Sequence, residues 1–335
     1  MLTVAILGAG FMGATHANGW KALDGRARVK WVSARSHERA HRIAAAVGAE
    51  PTTDVGLAIA DAEVDVVDIC LPTSLHRAVA EQAFAAGKHV LLEKPIALTL
   101  PDAELIARAA QAAGRQLMVG LVLRFFPEYV ELGRRVADGE LGRPRAASAY
   151  RLSPPADWND WMGDPALSGG TAVDLLIHDF DQLNALLGVP RRVFARAADG
   201  AAAHVHALVD YGETHALVEG SMAMPSSYPF SAGMRVACER GAVEHGFRAA
   251  PAEGGGNIGA EVDSFLRVYR AGSRPESVPV QSVDPWAAEI AYFAECLESG
   301  RAPERGTAEQ AIAALRVSLA VARSIESGRP EEVEG

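Results

Sequence analysis

A short apolar run at residues 4–7 leads straight into Gly8-Ala9-Gly10-Phe11-Met12-Gly13. A G-x-G-x-x-G turn between a strand and a helix narrows the possible folds sharply. The first glycine permits the tight turn. The second lets a pyrophosphate approach the backbone, and the third lets helix and strand pack closely. The helix that follows offers unpaired N–H groups and the positive end of its dipole. A glycine turn of purely structural meaning is the competing reading, so the surrounding pattern decides.

That pattern is an alternation. Apolar runs at residues 4–7, 29–32, 64–71, 90–92 and 117–119 are brief and rich in Val, Ile and Leu, as buried parallel strands are. Helix-like stretches lie near 12–23, 36–47, 54–61, 74–86 and 100–113. The pattern predicts an α/β fold, with a Rossmann-type doubly wound parallel sheet over residues 1–120. After Gly120 the alternation stops. A helix near 127–138 precedes strand-like segments near 145–152, 192–198, 204–210, 214–222 and 233–237. Glycines at 254–256 mark a loop, and a long alanine-rich helix near 307–327 closes the chain. Residues 121–335 are therefore expected to form an α+β domain with a largely antiparallel sheet, binding substrate and carrying oligomer contacts. The last helix is free to pack on either domain.

Composition removes several classes. With 335 residues the chain suits two domains of ~100–200 residues. Apolar residues at 49% and charged ones at 22% exclude wholesale disorder. Against 32 Lys+Arg stand 42 Asp+Glu, a formal charge of −10, which repels nucleic acid and anionic membranes. No dense basic run overrules it, so no nucleic acid and no membrane is expected as a partner. Cys70, Cys238 and Cys296 form no C-x-x-C and read as isolated thiols of a reducing compartment. The first 20 residues lack the charged start of a signal peptide, and no 18-residue apolar run follows. A cytoplasmic address is expected, with no catalytic metal.

Strand ends in a doubly wound sheet face the ligand crevice. An acid usually meets the ribose hydroxyls about 20 residues after the glycine turn. Here Ser33, Arg35 and Ser36 stand in that region. Hydroxyls and a guanidinium suit a 2′-phosphate, so NADP(H) is favoured, with NAD(H) the second option. Arg35 as a solvated loop residue is the plainer alternative. The 64–71 strand runs into Cys70-Leu71-Pro72-Thr73-Ser74-Leu75-His76. Thr73 or Ser74 there is also a simple helix cap, and Cys70 a small buried hydrophobe. The 90–92 strand runs into Glu93-Lys94-Pro95, and Pro95 keeps Lys94 out of the helical region.

Gly8 to Gly13, the Leu71-Pro72-Thr73-Ser74-Leu75-His76 turn and Glu93-Lys94-Pro95, in this order and spacing, resemble the glucose–fructose oxidoreductase / inositol dehydrogenase / rhizopine-catabolism (Gfo/Idh/MocA) family. The resemblance implies a cofactor site formed by Gly8, Gly10, Phe11, Met12, Gly13, Ser33, Arg35, Ser36, Leu71, Pro72, Thr73, His76, Glu93 and Lys94.

The second informative segment runs from Ser168-Gly169-Gly170-Thr171 through Asp174 to His178-Asp179-Phe180-Asp181. Read as one helix, it puts Val173, Leu176, Phe180, Leu183 and Leu187 on one stripe and Asp174, His178 and Asp181 on the other. Alone, that is either an exposed ion pair or a carboxylate–imidazole couple that exchanges protons. The segment is similar to the family's second signature. That resemblance implies that Asp174 and His178 act with Lys94, and that Asp181 meets substrate hydroxyls. Thr171 and Leu176 depart from glycines common in the family and leave the acid–base pair intact. Arg124 resembles a family position at the cleft. Trp158, Trp161 and Tyr228 are candidates for walling a sugar, or else plain core aromatics.

The expected protein is an NAD(P)-dependent oxidoreductase of a sugar, cyclitol or related polyol, assembled as a homodimer or homotetramer. Its catalytic residues are Lys94, Asp174 and His178, and its substrate contacts are Lys94, Arg124, His178 and Asp181. The alternatives are a cofactor-binding sensor without turnover and a glycoside-cleaving offshoot that uses NAD transiently.

Overall fold

The computed structural model describes residues 1–155, 161, 164–198, 204–250 and 262–334. The chain forms two units, Met1–Phe125 with Val283–Ile312, and Phe126–Ser282 with Ala313–Gly335.

The first unit opens with β1 (Leu2–Leu7), α1 (Phe11–Lys21), β2 (Ala27–Ser33), α2 (His37–Val47), β3 (Glu50–Thr52), α3 (Val55–Ala60) and β4 (Val66–Ile69). It continues through α4 (His76–Ala85), β5 (His89–Leu92), α5 (Leu100–Ala113) and β6 (Leu117–Val119). The six strands pair in parallel in the order β3-β2-β1-β4-β5-β6. The order reverses between β1 and β4, so the loops leaving those strands open a crevice there. The expected Rossmann sheet is present. Its edge strand β3 escaped notice because Glu50-Pro51-Thr52 contains no apolar run.

Helix ends carry readable signals. Ser36 caps α2 by accepting from the Arg39 N–H, Thr99 caps α5, and Gly48 and Gly114 close these helices at positive φ. The core gathers Val4, Ile6, Trp20, Val29, Leu91 and Met118. Each such fully enclosed side chain contributes about 1.5–3 kcal/mol of burial free energy.

The second unit contains α6 (Pro127–Ala137), β7 (Pro144–Leu152), α7 (Pro165–Ser168) and α8 (Ile177–Leu187). Seven strands follow: β8 (Arg192–Ala198), β9 (His204–Asp210), β10 (His215–Ser221), β11 (Phe230–Cys238), β12 (Gly241–Ala249), β13 (Val262–Arg270) and β14 (Glu276–Ser277). The chain then forms α9 (Pro285–Ser299), which belongs to the first unit, α10 (Ala308–Ser327), whose residues divide between the two units, and β15 (Glu331–Glu332). The nine strands order as β14-β13-β12-β11-β7-β10-β9-β8-β15. Every pairing is antiparallel except β7 with β10. Strands β12 and β13 were not expected, since Glu244, His245 and Arg248, and Asp263, Arg267 and Arg270, break any apolar run. Trp158 and the glycines at 254–256 lie outside the described residues.

The boundary near residue 120 needs correction. Residues 121–125 and 283–312 belong to the first unit. Helix α9 supplies Ile290, Phe293 and Ala294 to the core around Trp20. A Cβ on Gly19 of α1 would lie 2.5 Å from the Ile290 side chain, so glycine admits α9 at that point. Sequence order concealed this return, because the alternation pattern ends far upstream.

Candidate active site and cofactor cradle

The glycine loop leaves β1 with three different constraints. Gly8 sits at φ +118°, and a Cβ there would collide with the Cys70 carbonyl oxygen. A Cβ on Gly13 would collide with the Gly8 carbonyl oxygen. Nothing lies within 4 Å of the position a Gly10 Cβ would take. Packing therefore requires the outer two glycines, while the middle one keeps open space beside the backbone. Gly10 is the N-cap of α1, and no side chain caps the helix. Helix N–H groups, open space and a glycine whose absent Cβ the fold does not need fit a dinucleotide's pyrophosphate. Phe11, the first residue of α1, and Leu75, on the 3-10 turn Thr73–Leu75 after β4, are half-exposed apolar side chains. Met12 is partly buried.

At the end of β2 the three candidates part company. Arg35 is exposed. Ser36 uses its hydroxyl to cap α2. Ser33 is fully buried, and its hydroxyl has no hydrogen-bond partner among the described residues.

In the loop after β4, Leu71 and Pro72 are partly exposed and Thr73 is buried. His76 is also fully buried. Its Nδ1 lies 2.9 Å from the Pro95 carbonyl oxygen and its Nε2 2.9 Å from that of Leu71. Burial pushes the imidazole below its ordinary pKa, against those carbonyl contacts. His76 thus fixes the spacing between the 71–76 turn and the Glu93-Lys94-Pro95 corner. Lys94, just beyond β5, is partly exposed, and its backbone N–H donates to the Glu93 carboxylate at 3.0 Å. Arg124 is partly exposed on a 3-10 turn, Val122–Phe125.

Behind the corner lies a buried polar cluster that the sequence reading did not single out. His16 Nδ1 lies 2.9 and 3.0 Å from the two Asp68 oxygens, and Nε2 3.1 Å from Glu93. Trp20 donates its indole N–H to Asp68 at 2.6 Å. The available signals were an acid inside the apolar strand Val66-Val67-Asp68-Ile69 and a His one helical turn after Gly13.

In the second unit, Gly169 and Gly170 take positive φ, 81° and 65°, and start the second signature. The single helix expected here is instead a π turn, Thr171–Leu175, leading into α8. The Leu176 N–H donates to the Thr171 carbonyl at 2.9 Å. The wider turn breaks the simple four-residue spacing between Asp174 and His178. The polar stripe is not a wet face either: Asp174 is 4% exposed and Asp181 2%, while His178 is partly exposed. Gln182 donates to Asp181 at 3.3 Å. Asp179 is fully enclosed and meets Arg151 through both oxygens. Leu176 fills the room over Gly220, where a Cβ would lie 2.6 Å from its side chain. Trp161 and Tyr228 are partly buried.

Metal ligation was not expected, yet His37-Glu38-Arg39-Ala40-His41 spells the His-Glu-x-x-His spacing of helix-borne zinc sites. Both rings lie on the exposed face of α2, centroids 6.3 Å apart. Among the described residues, the groups that bring three ligand-type atoms within 4.8 Å are elsewhere: His16, Asp68 and Cys70, and His204, His206 and Glu219. In the first, burial pushes the Cys70 thiol up, and His16 Nδ1 is already engaged by both oxygens of Asp68 at 2.9 and 3.0 Å. In the second, on paired strands β9 and β10, His204 already meets Glu219 at 3.1 Å.

The GFO/IDH/MocA oxidoreductase-family model with an NAD-binding Rossmann fold matches residues 2–121, and the family's C-terminal-domain model matches residues 129–244. The chain is 30% identical to Myo-inositol dehydrogenase Hyg17 of Streptomyces leeuwenhoekii, covering 98% of each chain. It is 27% identical to scyllo-inositol 2-dehydrogenase (NAD(+)) of Bacillus subtilis (strain 168), covering 98% of this chain and 96% of that one. The solved aldose-aldose oxidoreductase of Caulobacter crescentus superposes with a TM-score of 0.84 at 25% identity, over 99% of each chain.

Proposed function

The chain belongs to the GFO/IDH/MocA oxidoreductase family and is an NAD(P)-dependent oxidoreductase, and we propose that it acts on a ring carbinol of a sugar, cyclitol or related polyol, or on the matching ketone. The observation that carries this reading is the second signature. There His178 shares one short segment with two carboxylates, Asp174 and Asp181, that are almost wholly removed from water. An imidazole exchanges protons near neutral pH, and enclosed carboxylates are acceptors for hydroxyl groups.

The Gly8–Gly13 loop and the start of α1 would hold the dinucleotide's pyrophosphate, and a nicotinamide so held would supply or accept the hydride. In the oxidative direction His178 takes the hydroxyl proton, and in the reductive direction it returns it. Asp174 holds the ring and balances its charge. Lys94 donates a hydrogen bond to the reacting oxygen, where negative charge develops. Asp181 accepts from a neighbouring hydroxyl, and Arg124 adds a donor for the substrate.

The cofactor choice is NADP(H) over NAD(H). It rests on Arg35, the one exposed residue of Ser33, Arg35 and Ser36, and on the absence of an acid in that stretch. The assembly is a homodimer or homotetramer through the open sheet face of the second unit. There Phe194, Leu208 and Leu217 lie directly opposite one another across β8, β9 and β10, all exposed.

The test is turnover of purified protein on a panel of cyclitols, pyranoses, 2-hydroxy acids and aliphatic alcohols with each cofactor. Reduction of cofactor by the cyclic polyols is expected. Turnover confined to hydroxy acids or simple alcohols would overturn the reading.

A further inference from the structure

We propose that His16 and Asp68 are positioning residues for the Glu93–Lys94 corner, acting through a buried Asp68–His16–Glu93 chain. The proposal rests on the reading that Lys94 serves the reacting oxygen, and goes beyond it in saying what aims Lys94.

The groups of this chain all lie within one unit, joined by hydrogen bonds except at His16 and Glu93, which meet as an ion pair. Both oxygens of Asp68 face His16 Nδ1, and Trp20 adds a hydrogen bond to one of them at 2.6 Å. His16 Nε2 faces Glu93 Oε1 at 3.1 Å. Glu93 Oε2 accepts the Lys94 backbone N–H at 3.0 Å. The two Glu93 oxygens therefore have separate tasks: one is gripped by the helix that starts at the glycine loop, and the other holds the backbone of Lys94.

Space enforces the arrangement. His16 and Asp68 are fully enclosed and Glu93 nearly so. A Cβ on Gly120 would sit 3.4 Å from the Glu93 carboxyl carbon, so the side chain has little room to turn. Charge supports it as well. Burial alone would keep His16 neutral, but Asp68 and Cys70 raise its proton affinity well above the ordinary value. A protonated imidazole donates Nδ1–H to Asp68 and holds Glu93 Oε1 as an ion pair at 3.1 Å, without hydrogen-bond geometry on the Nε2 side. Among the described residues, the fully buried Glu289 of α9 is a further acid facing the group, and burial with Glu93 and Asp68 nearby pushes its pKa well up, favouring its neutral form. The cluster thus sets the His16 ring between the carboxyl groups of Asp68 and Glu93.

Two substitutions of His16 divide its functions. His16→Gln keeps a donor near the Nε2 position, facing Glu93. His16→Asn keeps one near Nδ1, facing Asp68. Because small misplacements of reacting groups cost up to about 100-fold, His16→Asn should lower kcat by roughly 10–100-fold with little change in cofactor KM. His16→Gln, which loses the charge but keeps a donor towards Glu93, should retain clearly more of kcat than His16→Asn, even if the two melt at the same temperature. Glu93→Gln, which alters no volume, should fall at least as far as His16→Asn, and it carries the test if the His16 variants do not fold. Equal kcat for His16→Gln and His16→Asn, or wild-type kcat for Glu93→Gln, would overturn the proposal. Lys94→Ala is run alongside. If it keeps full activity, the reading of Lys94 fails. If it is inactive while the other variants behave like wild type, only the positioning chain fails.

Discussion

Arg151 and Asp179 form a bidentate ion pair inside the second unit, at 2.8 and 3.0 Å, with Arg151 also 3.4 Å from the Tyr129 hydroxyl. Burial works against the guanidinium's charge, but Asp179 and Tyr129 more than restore it. The pair anchors α8 to β7 one residue after His178. Leaving one buried charge unpaired costs about 3–5 kcal/mol. Asp179→Asn should therefore lower unfolding free energy by roughly that amount in urea titrations, while the double variant Arg151→Met/Asp179→Leu should lose much less. Equal losses would show that the site depends on shape and not on paired charge.

Glu289 makes stability depend on pH. Burial, with Glu93 and Asp68 nearby, pushes its pKa well above 4.5, and His16 opposes this only in part. Above pH 4.5 the unfolded chain releases this proton while the folded one keeps it, so the contribution to stability falls as pH rises towards the folded value. Glu289→Gln removes that proton. Its melting temperature relative to wild type should rise steadily from weakly acidic to weakly alkaline pH. Parallel curves for the two proteins would contradict the assignment.

Arg35 should set cofactor preference. A charge-assisted contact to a 2′-phosphate is worth about 1.5–3 kcal/mol, roughly 10–100-fold in affinity. Arg35→Ala should weaken NADP binding by that factor and leave NAD binding nearly unchanged, as read by titration calorimetry. Equal weakening of both, or tighter wild-type binding of NAD, would reject the preference.

Phe194, Leu208 and Leu217 should mark the surface between copies. Leu208→Arg places a charge in the middle of that row, and light scattering at micromolar concentration should show a shift from dimer or tetramer towards monomer. A monomeric wild type would end the idea.

The parts of the fold that were legible were those with a strong local period or a demanding backbone. The parallel strands read as apolar runs because both their faces are covered, and Gly8 and Gly13 were legible because no side chain fits there. What stayed hidden depended on distant segments. Ile290 and Phe293 complete the first core from more than 150 residues beyond its last strand, β6. The π turn at Thr171–Leu175 was invisible because an apolar period of 3.6 fits the segment nearly as well. Asp179 had no legible role, because its partner Arg151 lies on a strand 28 residues upstream. His16 and Glu289 carry no local sign of the carboxylates they face.

The most direct test of the acid–base assignment is the steady-state kinetics of His178→Ala beside cofactor affinity, on whichever cyclic polyol the wild type oxidises fastest. General acid–base catalysis contributes about 10²–10⁴-fold, so kcat should drop by two to four decades while the cofactor dissociation constant stays nearly unchanged. A His178→Ala enzyme that keeps full turnover would contradict the assignment outright.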